Sequence, residues 1–137
     1  MIEIKSFSFL HTPQQIPLEQ RKNLWYIFDC RCITDPVLIP ELKNFHGLDM
    51  QIQLFFKKET NMIQYLEGIY KNIYLVLNNY LRDKKSIEKV TFNFGCLGGI
   101  HRSVFAAEYI TKKIRQDFPG EKILLEHTRN IKKNSLL

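Results

Sequence analysis

Val90-Thr91-Phe92-Asn93-Phe94 runs straight into Gly95-Cys96-Leu97-Gly98-Gly99-Ile100-His101 and then into Arg102-Ser103. The first five residues are β-branched or aromatic at most positions, the composition of a strand. The glycines that follow interrupt regular structure. From Arg102 to Asp117 the chain reads as a helix, stopped by Phe118-Pro119-Gly120. Lys122 to Glu126 then reads as another strand. Strand, loop, helix and strand in this order predict a right-handed crossover between parallel strands.

Upstream, the same alternation continues. Thr60 to Leu81 places Ile63, Leu66, Tyr70, Ile73, Leu77 and Leu81 at helical spacing. Asp83 to Ser86 is a polar turn. Leu24-Trp25-Tyr26-Ile27-Phe28 is a continuous apolar run, expected for a strand buried on both faces. Ile2 to Phe9 is a first strand, and His11 to Pro17 is a loop. Asp29 to Asp49 is irregular, broken by Pro36, Pro40 and Gly47. The expected class is α/β: a small layered sandwich, with a mostly parallel sheet of about four strands and helices on its faces.

Composition agrees with one globular domain over residues 1–137. Hydrophobic residues make up 45% and charged residues 25%, which excludes a disordered chain. Lys and Arg number 20 against 14 Asp and Glu, a net charge of +6 that points to an anionic partner without naming it. Three cysteines, Cys30, Cys32 and Cys96, are too few and odd in number for a disulfide framework. Their spacing does not match a zinc site, so no metal is expected. No leader pattern opens the chain, and no apolar run approaches the ~20 residues of a membrane span, so the expectation is a cytoplasmic protein with no membrane partner.

The chemistry concentrates in Gly95 to Ser103. A loop between a strand and a helix presents backbone N–H groups and the positive end of the helix dipole. Gly98 and Gly99 allow positive φ and close approach of a ligand. Arg102 can fork onto two phosphate oxygens, and Ser103 can cap the helix or donate to an oxygen. Each feature suits a phosphate. The same stretch fits Cys-x5-Arg-Ser, so Cys96 as a nucleophile with Arg102 as its phosphate clamp is an alternative. That reading needs a general acid, for which Asp29, Asp49 and Asp83 are candidates. Gly95 stands where such phosphatases usually carry His.

Parallel sheets bind ligands beyond the carboxyl ends of their strands. Asp29 and Arg31 follow one predicted strand there, and His127, Thr128 and Arg129 follow another. His11 and His46 are weaker candidates. The aromatics of the strands fit a core better than a base-stacking platform. The lysine pairs Lys84-Lys85, Lys112-Lys113 and Lys132-Lys133 are scattered, which suits solvated faces, with RNA contact as an alternative. Neither a G-x4-G-K-[ST] nor a G-x-G-x-x-G pattern occurs.

In order along the chain, Ser6-Phe7-Ser8-Phe9, Phe28-Asp29-Cys30-Arg31, Pro36, Gly47-Leu48-Asp49, Gly95-Cys96-Leu97-Gly98-Gly99-Ile100-His101-Arg102-Ser103-Val104 and His127 resemble the C-terminal domain of the RapZ family of RNase adapter proteins. The resemblance implies an α/β domain that binds an amino-sugar phosphate and small regulatory RNA. Members of that family resemble a fusion of an N-terminal P-loop domain with this one, and the expectation for these 137 residues is the C-terminal domain alone. By resemblance Gly95, Cys96, Gly98, Gly99, His101, Arg102 and Ser103 hold the phosphate, with Asp29 and Arg31 at the same pocket. Two departures stand out. Where the family often reads Asn-Pro-His this chain reads Asp35-Pro36-Val37, and where the family loop has Thr this chain has Leu97. The combined expectation is a regulatory or adapter domain that needs no cofactor. Its ligand is a nucleotide or sugar phosphate, held by Gly95, Cys96, Leu97, Gly98, Gly99, His101, Arg102, Ser103, Asp29, Arg31, His127 and Arg129. RNA and a protein are further partners to be tested.

Overall fold

A computed structural model describes residues 1–17 and 21–131. Lys132 and Lys133 lie outside the described residues. Four strands, β1 (Ile2–Ser8), β2 (Asn23–Asp29), β3 (Lys89–Cys96) and β4 (Ile123–His127), form one sheet in the order β2-β3-β1-β4. All three pairings are parallel. The helices are α1 (Met50–Glu59), α2 (Met62–Arg82) and α3 (Arg102–Asp117), with a 3-10 turn at Pro36–Leu38. The expected α/β class and four-stranded parallel sheet are therefore present.

The helices share one face of the sheet rather than two. The alternate residues Ile2 and Ile4 of β1, Val90, Phe92 and Phe94 of β3, Tyr26 and Phe28 of β2, and Ile123 and Leu125 of β4 all join one core. Into it come Phe56 of α1, Leu66, Ile73 and Leu77 of α2, and Phe105, Ile110 and Ile114 of α3. The reason is topological. The crossovers β2–α2–β3 and β3–α3–β4 step the same way across the sheet, and right-handed crossovers stepping the same way land on the same side. On the opposite face Lys5 bridges to Glu3 at 3.5 Å and lies over the Trp25 ring at 5.8 Å.

Two expectations change here. β2 is not buried on both faces: it is an edge strand, and its residues are half-buried or exposed. Its Tyr26 and Phe28 face the core in a row, Tyr26 stacked on Phe92 at 5.4 Å and Phe28 on Phe94 at 5.2 Å. The second change is α1, a helix that the sequence reading left unassigned. Its buried residues Ile52, Phe55 and Phe56 have the i, i+3, i+4 spacing of an apolar stripe, compressed into ten residues. Thr60, expected to start the long helix, instead joins the two. Its Oγ1 donates to Phe56 O at 2.8 Å and accepts from Met62 N at 3.2 Å.

Candidate functional site

The chain turns one way after β1 and the other way after β3. β1 leads to β2 on one edge, while β3 leads over β1 to β4 on the other. Adjacent strands whose connections diverge leave a crevice at their carboxyl ends. Here that crevice is a cleft of about 220 Å³. Its lining combines the polar groups of Cys96, Gly98, His101, Arg102 and Asp35 with the apolar side chains of Leu10, Val37, Leu97 and Ile100.

Gly95 to His101 form the turn between β3 and α3. Phe9 N donates to Cys96 O at 3.0 Å and Leu10 N to Leu97 O at 3.4 Å, so the β1–β3 ladder extends into the loop. Ser8 Oγ donates to Leu97 O at 2.6 Å and accepts from the N–H groups of Leu10 and His11. Gly99 then takes φ of +69°, which L side chains adopt at a cost. A Cβ there would also sit 2.8 Å from Ser8 Cβ. Among the described residues, the backbone N–H groups of Gly98, Gly99, Ile100 and His101 donate to no protein acceptor. Successive unpaired amides around a left-handed residue form an anion-binding concavity, and the start of α3 adds its dipole.

Gly95 has a different task. A Cβ at this position would lie 2.3 Å from Phe7 Cζ and 2.7 Å from Phe9 Cε2. The glycine therefore lets Phe7 and Phe9, packed edge to face at 4.8 Å, close over the strand end. Gly95→Ala should lower stability by about 2 kcal/mol, the usual scale of overpacking a filled core. Urea unfolding checks this, and an unchanged midpoint would contradict the role.

Arg102 is buried and ties two segments together. Nη1 donates to Arg31 O and Ile33 O, both at 3.0 Å, and Nη2 pairs with Asp35 Oδ2 at 3.0 Å. These bonds occupy three of the five guanidinium N–H groups. The expected fork onto a phosphate is thus largely replaced by a strut, and two N–H groups remain for a ligand. Asp35, read from sequence only as a departure from the family, is the carboxylate that accompanies Arg102 at the cleft.

His101 is also buried, and its Nε2–H donates to Phe45 O. Burial lowers its pKa below the ordinary histidine value. The ring is consequently a neutral side chain that leaves Nδ1 as an acceptor, not a second cation. The loop before α1 closes on the same corner, with Gly47 N donating to Ile100 O at 2.7 Å.

Ser103 is fully buried, and its hydroxyl meets Cys96 Sγ at 3.2 Å. Asp29 and Arg31 sit at the expected edge but bind each other. Arg31 Nη2 lies 2.6 Å from Asp29 Oδ2, and the Arg31 guanidinium stacks on Phe9 at 4.2 Å. The Arg31 hydrogen bond holds the Asp29 carboxyl below the usual range. Their side chains stand beside the cleft and do not line it. His127 is committed to Ser6 Oγ at 2.7 Å and Glu108 Oε1 at 2.8 Å. Arg129 does reach the loop, donating to Gly98 O at 3.1 Å.

Of the three carboxylates read as general acids, Asp83 lies at the amino end of the sheet, where it accepts from Ser86. Asp49 is buried and accepts from His46 N at 2.9 Å. One lysine of each described pair finds a carboxylate, Lys84 with Glu121 and Lys113 with Glu67. No helix among the described residues is long and apolar enough to cross a membrane.

The family model for the RapZ C-terminal domain matches residues 1–131. The chain belongs to the RapZ C-terminal domain family. A nucleotide-binding protein of Thermotoga sp. (strain RQ2) is 31% identical over 132 residues, covering 96% of this chain and 43% of the relative. One from Laribacter hongkongensis is 32% identical over 128 residues, 93% of this chain and 42% of the relative. One from Bacillus cytotoxicus is 32% identical over 117 residues, 85% and 37% respectively. The chain thus spans less than half the length of these relatives. In the RapZ C-terminal domain described here, the family-like segment from Gly95 to Val104 is the loop and helix start that border the cleft.

Proposed function

We propose that this domain binds a phosphorylated small molecule, a nucleotide or sugar phosphate, at the Gly95–Ser103 loop and acts as a regulatory module, not as an enzyme. The observation that carries this is the row of unpaired amides from Gly98 to His101 at the start of α3, over the crevice between β1 and β3. Gly98, Gly99, His101 and Arg102 form the binding face. Cys96, Leu97 and Ser103 support it, and Arg129 braces it through Gly98 O. Asp29, Arg31 and His127 act at one remove. The name nucleotide-binding protein, carried by relatives more than twice this length, supports the ligand class. A cytoplasmic adapter role, with RNA or a protein as further partner, rests on the family alone. The nucleophile reading of Cys96 is weaker, because its thiol is buried against Ser103 and none of the three expected acids is free beside it.

Gly98 provides the test. A Cβ there meets nothing within 4 Å, so a side chain can enter the cleft without disturbing the fold. Gly98→Asp would put a carboxylate among the amides. In calorimetric titrations with inorganic phosphate, glucose 6-phosphate and AMP, it should weaken binding by roughly tenfold or more, from charge repulsion of about 1.4 kcal/mol or above. The melting temperature should stay within a degree or so. If no probe binds the unaltered domain, or the variant binds equally well, the reading is wrong.

A further inference from the structure

The apolar part of the cleft lining is not explained by a phosphate. Leu10 is 63% exposed, Leu97 49% and Val37 47%, and with Ile100 they line the same cleft as the polar residues. They come from separate parts of the chain: the end of β1, the turn after β2 and the glycine loop. Their gathering is therefore a property of the tertiary site, not of one apolar stretch.

Resting on the reading above, we infer that this cleft selects a nucleoside monophosphate over a bare sugar phosphate, with the base lying on Leu10, Val37, Leu97 and Ile100. A sugar ring carries hydroxyls around its circumference. Pressed against leucine and valine, they lose water and gain no partner, which costs free energy. A nucleobase has a flat apolar face that can cover these side chains and still keep its polar edge in water. The cleft is smaller than the usual ~300 Å³ lower bound for drug-sized sites, so it holds the phosphate end of one mononucleotide and leaves the base at its mouth. Asp35 sets the phosphate number. Its carboxylate already compensates Arg102 and stands at the same cleft. The remaining attraction is that of the amides, which suits one phosphate and opposes the added negative charge of two or three.

AMP and ribose 5-phosphate differ only by the base, so comparing them isolates the apolar wall. AMP should bind at least tenfold more tightly than ribose 5-phosphate, and at least as tightly as ATP. In the double variant Leu10→Ser, Val37→Ser that preference should shrink to threefold or less, with ribose 5-phosphate affinity unchanged. Both positions are exposed, so the variant should fold, and its circular dichroism spectrum would establish this. Equal binding of AMP and ribose 5-phosphate would overturn the inference and leave the phosphate loop standing. Tighter binding of ATP would overturn the choice of monophosphate. Adenosine binding as well as AMP, or no binding by any of these probes, would remove both the inference and the loop reading.

Discussion

Replacing Arg102 by alanine should unfold this domain about 10 °C earlier, even with no ligand in solution. The guanidinium satisfies two backbone carbonyls, of Arg31 and Ile33, and the Asp35 carboxylate. Its own side chain is 7% exposed, and that of Asp35 is 22% exposed. Removing one partner of a buried pair costs roughly 3–5 kcal/mol, because the other is left desolvated and unpaired. Partial access of Asp35 to water reduces this to about 3 kcal/mol, since hydration replaces some of the lost partner. For a domain of this size each kcal/mol moves the melting point by roughly 3–4 °C. The double variant Arg102→Ala, Asp35→Ala should recover part of the loss, because no carboxylate is then stranded. Differential scanning calorimetry of the two variants decides the matter. A shift below about 2 °C for Arg102→Ala would mean that the arginine does not hold these segments together. The same result bears on ligand studies: weak binding by an arginine variant is interpretable only beside its stability.

Phe92→Ala should cost still more, about 4 kcal/mol, near the middle of the range for truncating a core phenylalanine. Phe92 is fully buried at the centre of β3, with a neighbouring strand on each side. Its ring stacks on Tyr26 at 5.4 Å and lies 6.4 Å from Phe28. Such aromatic pairs add about 0.5–1.5 kcal/mol beyond the burial of area. The void would open under the sheet, where a strand paired on both edges cannot shift to fill it. Against a typical total of roughly 5–15 kcal/mol this is a large fraction, so partial unfolding at 37 °C is expected. Urea titration measures it, and a loss under 2 kcal/mol would show that helices and sheet can collapse around the site.

Parts of the fold were legible because single residues announce them. Val90 to Phe94, the glycine loop and the Arg102–Asp117 helix each carry their own local preference, and α3 has the expected bounds. α1 was missed because its stripe is only Ile52, Phe55 and Phe56, too short to stand out before the long periodic run that follows. β2 was misjudged because an apolar run says that a strand is buried somewhere, not whether it lies inside the sheet or at its edge. In the site, Asp35 and Gly47 appear in the sequence only as pieces of the family pattern, with no hint of their partners, and Phe45 carries no signal there. They reach Arg102, Ile100 and His101 across 53 to 67 residues of chain.

Composition, periodicity and punctuation were enough to determine an α/β chain with parallel strands and a glycine loop at a strand end. These follow from φ/ψ preferences and side-chain spacing, which act over a few residues. The Gly95 to Val104 order also sufficed for the family. Which groups face a ligand was decided only in three dimensions. Arg102 spends most of its donors on the 31–35 segment, His127 on Ser6 and Glu108, and Asp29 and Arg31 on each other. Leu10, Val37 and Leu97 meet only when the β1–β3 crevice forms. The physical reason is that a polar side chain is available to a ligand only to the extent that folding has not already given it a partner. That depends on neighbours brought close by the sheet order, not by the sequence.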